Sequence, residues 1–338
     1  MVRARITSRR PSPKQLEPAA LAERIRRATG VDEVTLDARL QALWGGYGEL
    51  WRAELRRGTT LTRVVVKSVR PPRDDGSRSH RRKLRSYDVE QAFYRRYAAR
   101  CSETPSCRIA RPVQLLAEDG GWLFVLEDLD TAGFAGRPSH AVGSHVSATL
   151  RWLATFHARF LGTAPEELWK VGTYWHLGTR PDELMAMRHD ALRQAAPRLD
   201  QALSGARFKT FVHGDAKLEN VCFGSGGEVA LVDFQYVGGG VGVKDVAYFL
   251  SSCFSARECE ALVPRYLDEY FRELVRAVHA NARADVDVAA LETEWRALFP
   301  LAWVDFYRFL LGWSPGRVDR DSYSERLTRE VLAGLKSD

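Results

Sequence analysis

The stretch "HGDAKLENVCFGSGGEVALVDFQ", residues 213–235, sets two aspartates and an asparagine around a short apolar segment. Asp215 and Asn220 lie five positions apart and bracket a tight loop, so both side chains can turn into one site. The following "VCFGSGGEVALVDF" reads as strand, glycine turn and strand, a hairpin that returns Asp233 to the place the chain has just left. Taken singly, each residue has a plain structural use, since aspartates cap turns and asparagine tolerates a left-handed turn position. Together they form a different set. Asn220 and Asp233 offer the oxygen ligands that a small, hard cation such as Mg²⁺ takes, and Asp215 is a separate carboxylate able to accept a hydroxyl proton. Moving a phosphoryl group requires both functions and little covalent work from the protein. Lys217, inside the loop, is expected to neutralise charge on the moving group, and His213 to orient the loop rather than to do chemistry.

The joined pattern of His213-Gly214-Asp215, Asn220 and Val232-Asp233-Phe234 resembles the catalytic and metal loops of the protein-kinase-like superfamily. Its "HGD" opening is similar to the aminoglycoside phosphotransferase and choline kinase group of small-molecule kinases. The resemblance implies an α+β fold of two lobes, a small β-rich N-lobe and a larger helical C-lobe. It also implies phosphorylation of a small-molecule hydroxyl, dependent on ATP and Mg²⁺. "VVVK" ends a β-branched strand at Lys67, the context of a lysine that holds phosphates, and Glu90 in "VEQAFY" matches its pairing carboxylate on the next helix. In "WGGYGELWR", Gly46 and Gly48 are placed to bring backbone amides to phosphate, although an ordinary hairpin turn fits the same residues. "LFVLEDLD" resembles the linker between lobes, where main-chain groups of Glu127 to Leu129 would meet adenine. The segment "SHRRKLRSYDVEQAFY" (79–94) also looks like an ecdysteroid-kinase-like branch of the group. Only eleven residues separate Asp233 from Asp245, with no Ala-Pro-Glu, which is too short for a segment that docks a peptide substrate. Two alternatives stay open: a kinase of aminoglycosides or choline-like amines, and a catalytically silent pseudokinase that binds a ligand or partner.

The chain has 338 residues, enough for two lobes, divided here as 1–126 and 127–338 with a cleft expected between them. Fifty Lys and Arg against 43 Asp and Glu give a net charge of +7, which suits an anionic nucleotide, but the arginines are scattered. No alternation of basic and aromatic residues marks a nucleic-acid surface, and no apolar run reaches the length needed to cross a bilayer. Cys101, Cys107, Cys222, Cys253 and Cys259 show no CxxC pairing, so they are read as reduced thiols of a cytoplasmic protein. "MVRARITSRRPSPKQ" is basic without an apolar core behind it and reads as a frayed tail, not a secretory signal.

Helical spacing runs through 15–29, closed by Gly30, and returns at 87–101 and 145–162. "RPPRDDGSRSHRRKLRS" (70–86) is charged and poor in apolar residues and reads as a loop, while Asp119-Gly120-Gly121 marks a hairpin turn. Asp245 opens an apolar helix and reads as its N-cap, anchoring the catalytic segment. In "EWRALFPLAWVDFYRFLLGW" (294–313), Trp295, Phe299, Ala302, Phe306, Phe309 and Trp313 form a core stripe, and Asp305 with Arg308 an intrahelical ion pair. Trp303 and Tyr307 lie one turn apart and off that stripe. They belong either to the core or to a pocket for an apolar hydroxylated acceptor.

Overall fold

In the computed structural model the described residues are 16–102, 105–281, 285–317 and 323–337, so the basic segment 1–15 lies outside them. The chain forms two compact units, one built from residues up to Tyr87 with Ala110–Ala132, the other from Asp88–Ile109 with Gly133 onward. The division expected at residue 126 is therefore replaced by one that the chain crosses three times.

The first unit is an antiparallel sheet under a helix. Helix α1 (Pro18–Thr29) starts with proline in its first turn and stops at Gly30, whose φ of 65° lets its amide bond back to Arg26 O. Strands β1 (Glu33–Ala42), β2 (Gly48–Arg57) and β3 (Thr60–Val69) follow in a meander. Helix α2 (Arg78–Arg96), the short α3 (Ala98–Ser102) and strand β4 (Arg108–Ile109) intervene before the hairpin of β5 (Pro112–Glu118) and β6 (Gly121–Glu127). The sheet order is β1-β2-β3-β6-β5. Leu21 and Ile25 of α1 pack on Ala53, Leu55, Val64, Val66, Leu123 and Val125, the inward positions of the central strands.

The expectation of a loop through residue 86 is corrected, because α2 begins at Arg78. Ser77 Oγ accepts from His80 N at 3.0 Å as a helix cap, and the buried stripe runs through His80, Tyr87 and Gln91. Polar side chains make up much of that stripe, and His80 is satisfied by Tyr47 Oη at 2.6 Å, so hydropathy alone does not show it. The later half of α2 belongs to the second unit because Phe93 stacks on Phe234 with ring centroids 4.1 Å apart, and β4 pairs with a strand of that unit.

The second unit contains α4 (Gly143–Phe160), α5 (Pro181–Ala186), α6 (Asp190–Ser204), strands β7 (Thr210–Val212), β8 (Val221–Phe223), β9 (Val229–Leu231) and β10 (Gly238–Gly240), then α7 (Val243–Cys253), α8 (Ala256–Ala280), α9 (Val288–Trp313) and α10 (Tyr323–Ser337). The expected hairpin is β8–β9, with β4 parallel to β9 on its outer side. All five cysteines are free thiols. Among the described residues no helix is long and apolar enough to cross a membrane.

Helix α9 corrects two expectations. Its stripe from Trp295 to Phe309 is buried as read, but Trp313 at its end is half exposed. Trp303 and Tyr307, offered as a pocket, are buried as well, against α10. Trp303 Nε1 donates to Ser324 Oγ at 2.9 Å and its ring meets Tyr323, while Tyr307 Oη donates to Glu325 Oε1 at 2.6 Å. The reason is coverage: α5, α6, α7 and α10 all pack on α9, so both of its faces are core.

Candidate active site

The site is built where β7 ends. His213, Gly214 and Asp215 leave Val212 in a turn that only glycine can make at its centre. Gly214 has a φ of 80°, and a Cβ there would lie 2.2 Å from Tyr236 O and 2.7 Å from Thr173 N. Two backbone amides of the turn are held by one side chain, since His213 N and Gly214 N donate to Asp245 Oδ2 and Oδ1 at 2.5 and 2.9 Å. Asp245 is therefore not the N-cap of α7; Gly242 holds that place, and the Asp245 carboxylate is turned back onto the loop it anchors. His157 Nε2 completes its partners at 3.1 Å, and His157 Nδ1 meets Tyr270 Oη at 2.9 Å.

His213 is fully buried, and burial holds its imidazole below the usual pKa, hence neutral. Its Nδ1 accepts from Asp215 N at 3.2 Å and its Nε2 donates to Val232 O at 3.1 Å. The ring thereby ties the turn to the strand end that precedes Asp233, an orienting role.

The Asp215 carboxylate is gripped on both oxygens. Asn220 Nδ2 donates to Oδ2 at 3.0 Å and to the Asp215 carbonyl at 2.8 Å, while Tyr248 Oη donates to Oδ1 at 3.3 Å. Burial pushes the Asp215 carboxyl up to about 7; the charge of Lys217 opposes that, and the charge of Asp233 adds to it. Asn220 closes a single 3₁₀ turn, Leu218–Asn220, and its carbonyl accepts from Val232 N at 3.1 Å, which places the two halves of the hairpin side by side. Asp233 has a φ of 69°, a left-handed conformation costly for a residue with a side chain. Phe234 holds it there, wedged between Phe93 and His213 at centroid distances of 4.1 and 4.8 Å.

Asp215, Lys217, Asn220 and Asp233 are thus brought together within one unit. Because Asn220 spends its amide nitrogen on Asp215, its remaining polar atom is a carbonyl oxygen. That oxygen and the Asp233 carboxylate form a hard, anionic donor set that fits Mg²⁺. Glu90 is also buried in this unit, and its charge and that of Asp233 both bear on the Tyr94 hydroxyl, whose pKa burial raises far above normal.

The remaining sequence-predicted residues lie in the first unit. Lys67 is buried on β3, its Nζ 5.5 and 5.7 Å from the ring centroids of Tyr87 and Phe124. Gly46 donates its amide to Leu43 O at 3.2 Å, so that N–H already has a partner within the turn. Gly48 makes a close pass beside β3, where a Cβ would meet Ser68 O at 2.0 Å. Glu127 N donates to Arg111 O at 2.9 Å, and Leu129 is buried in a turn braced by Arg52, whose guanidinium forks to Asp128 and Asp130 at 2.8 and 2.5 Å.

Two features were not read from the sequence. Tyr248 touches the Asp215 carboxylate; its signal was its place three residues after Asp245, on the same helical face. The expected Asp305–Arg308 pair is found at 2.8 Å, but the sequence did not show its further partners on Asp305, Lys244 Nζ at 3.3 Å and Trp175 Nε1 at 3.0 Å.

The model of the APH family, described as a phosphotransferase enzyme family, matches residues 39–284. The chain belongs to this family, and its class is that of a small-molecule kinase. Among solved structures, the choline kinase LicA from Streptococcus pneumoniae is similar at 14% identity, over 94% of this chain and 99% of that one, with a TM-score of 0.46. Aminoglycoside-3'-phosphotransferase of type VIII is similar at 17% identity, over 80% and 93% of the two chains, with a TM-score of 0.43. An aminoglycoside phosphotransferase from Alicyclobacillus acidocaldarius shows 17% identity over 89% and 92%, with a TM-score of 0.42. No curated protein sequence matches the chain.

Proposed function

We propose that this phosphotransferase moves the γ-phosphoryl group of ATP, with Mg²⁺, to a hydroxyl of a small molecule, and that Asp215 is the base. The observation that carries the reading is the Asp215 carboxylate itself, buried, gripped on both oxygens and beside Asp233. In this reading Asp215 takes the acceptor hydroxyl proton as the acceptor oxygen bonds to the γ-phosphorus and the bond to the leaving ADP oxygen breaks. Asn220 and Asp233 would hold Mg²⁺, which when bound neutralises phosphate charge. Lys217, next to Asp215 in the loop, stabilises charge on the moving group. The nucleotide is assigned to Lys67, Glu90, the turn of Gly46 and Gly48, and the main chain of Glu127 to Leu129. For Gly46 the support is its φ of 75°, a turn conformation that suits glycine, since its amide has a partner in the turn. Trp303 and Tyr307 leave the assignment because both are built into the α9–α10 packing. The five free thiols support a cytoplasmic setting.

The test combines binding and turnover. MgATP should raise the melting temperature of the wild type, and Asp233→Ala should abolish the Mg²⁺-dependent part of that rise. ADP production should be stimulated by at least one compound in a panel of hydroxylated small molecules and be lost in Asp215→Asn. A nucleotide shift that ignores both Mg²⁺ and Asp233→Ala, with no ADP formed, would refute the reading in favour of a silent ligand binder.

A further inference from the structure

We propose that Tyr248 is a positioning residue for the base, fixing the rotation of the Asp215 carboxylate through its hydroxyl. The inference rests on the reading of Asp215 as the base. A carboxylate turns easily about its terminal torsion, which is broad and two-fold, so one hydrogen bond leaves its second oxygen poorly placed. Asn220 fixes Oδ2, and the hydrogen bond on Oδ1 comes from Tyr248 at 3.3 Å. Asn220 is also assigned to the metal, so its geometry must suit two groups; the Tyr248 hydroxyl, whose other neighbour is the Tyr174 hydroxyl, has no part in the metal assignment.

The ring that carries this hydroxyl is locked. Its centroid lies 4.5 Å from that of Phe306, 5.0 Å from Trp175 and 5.5 Å from Tyr174, and the residue is only 7% exposed. Tyr248 is three residues beyond Asp245 on α7. A single helical turn therefore holds the catalytic loop twice, its backbone through Asp245 and the base through Tyr248. Burial and the neighbouring Asp215 charge keep the Tyr248 phenol protonated throughout, so it donates and does not itself take the proton. That separates it from a catalytic residue. Sequence position alone gives no reason for a hydroxyl here, because phenylalanine would fill the aromatic cluster equally well.

Tyr248→Phe tests this, since it keeps the ring and removes one oxygen. With MgATP and the best acceptor of the panel, kcat measured as ADP production should fall about 10- to 100-fold, the loss expected for a misplaced reacting group. The KM for ATP should stay within about twofold and the melting temperature within a few degrees. In an Asp215→Asn background the same substitution should change residual turnover by less than about twofold, because the carboxylate that it positions is gone. A wild-type kcat in Tyr248→Phe, alongside an inactive Asp215→Asn, would overturn the inference and leave the base assignment standing. Full additivity of the two losses would also overturn it. Should Asp215→Asn retain wild-type turnover, the base assignment itself fails and takes this role of Tyr248 with it.

Discussion

Replacing Asp305 by asparagine removes one charge from a cluster that cannot spare it. Asp305 is buried in α9 with four donors on its two oxygens: Arg308 Nε at 2.9 Å and Nη2 at 2.8 Å on Oδ1, and Trp175 Nε1 at 3.0 Å and Lys244 Nζ at 3.3 Å on Oδ2. Lys244 and Arg308 are themselves buried, so two cations share this single carboxylate. Burial alone would raise its pKa, but the charges of Arg308 and Lys244 outweigh burial and bring it from 3.8 to about 2. At about 1.4 kcal/mol per pH unit, that drop corresponds to roughly 2.5 kcal/mol in favour of the folded, ionised state. Asp305→Asn should cost more, about 3–5 kcal/mol, because it also leaves both cations buried without a counter-charge. Lys244→Met takes the cluster toward neutrality instead and should cost less than the aspartate variant.

The sign with pH follows from the depressed value. The contribution is complete above the unfolded pKa near 4 and is lost as pH falls toward 2, when the unfolded chain binds a proton that the folded chain refuses. Urea unfolding followed by tryptophan fluorescence should show a constant gap between wild type and Asp305→Asn from pH 8 to 5. Below pH 4 the gap should narrow by up to about 1.4 kcal/mol per pH unit. A gap under about 1 kcal/mol at pH 7, a gap that ignores acid, or a larger loss in Lys244→Met would refute the charge argument.

Three other outcomes are expected. Gly214→Ala should destabilise by at least about 2 kcal/mol in urea unfolding and remove turnover, because its Cβ would overlap Tyr236 O in a left-handed turn. Trp303→Ala should cost about 3–5 kcal/mol in unfolding with no selective rise in the KM of any acceptor; a selective rise at unchanged stability would restore the pocket reading. Asp233→Gly should be as stable as the wild type or more so by about 1 kcal/mol, having shed a strained φ of 69°, while its Mg²⁺-dependent nucleotide shift disappears.

What the sequence made legible was local. Asp215, Lys217, Asn220 and Asp233 fall within nineteen residues, and the β8–β9 hairpin alone is enough to predict that they return to one place. The Asp305–Arg308 pair is likewise one helical turn. Where the reading failed, the deciding partner came from elsewhere in the chain. Asp245 looks like a cap in its own helix and becomes an anchor only because β7 delivers two amides to it. Trp303 and Tyr307 look free of the core stripe until α10, which follows in the chain, covers them. The start of α2 was hidden because its buried face includes a histidine whose burial depends on Tyr47, 33 residues earlier. Periodicity reports how a helix is patterned, not how many neighbours it has.

The same distinction explains where this molecule keeps its strain. Asp233 in a left-handed conformation and Asp215 buried beside a second carboxylate are local choices that oppose folding. Neither is relieved by its own segment. They persist because contacts from elsewhere in the chain over-determine them: Phe93 clamps Phe234 against His213, Asp245 holds the turn, and Tyr248 joins the loop's own Asn220 in holding the carboxylate. Such an arrangement makes sense if a bound cation and phosphate later offset the repulsion, since a site already relaxed without them would gain less by binding them. On that argument the substitutions that most improve stability at Asp215 and Asp233 are the ones that end phosphoryl transfer. Activity would then be recovered not by rebuilding the fold but only by returning the charge.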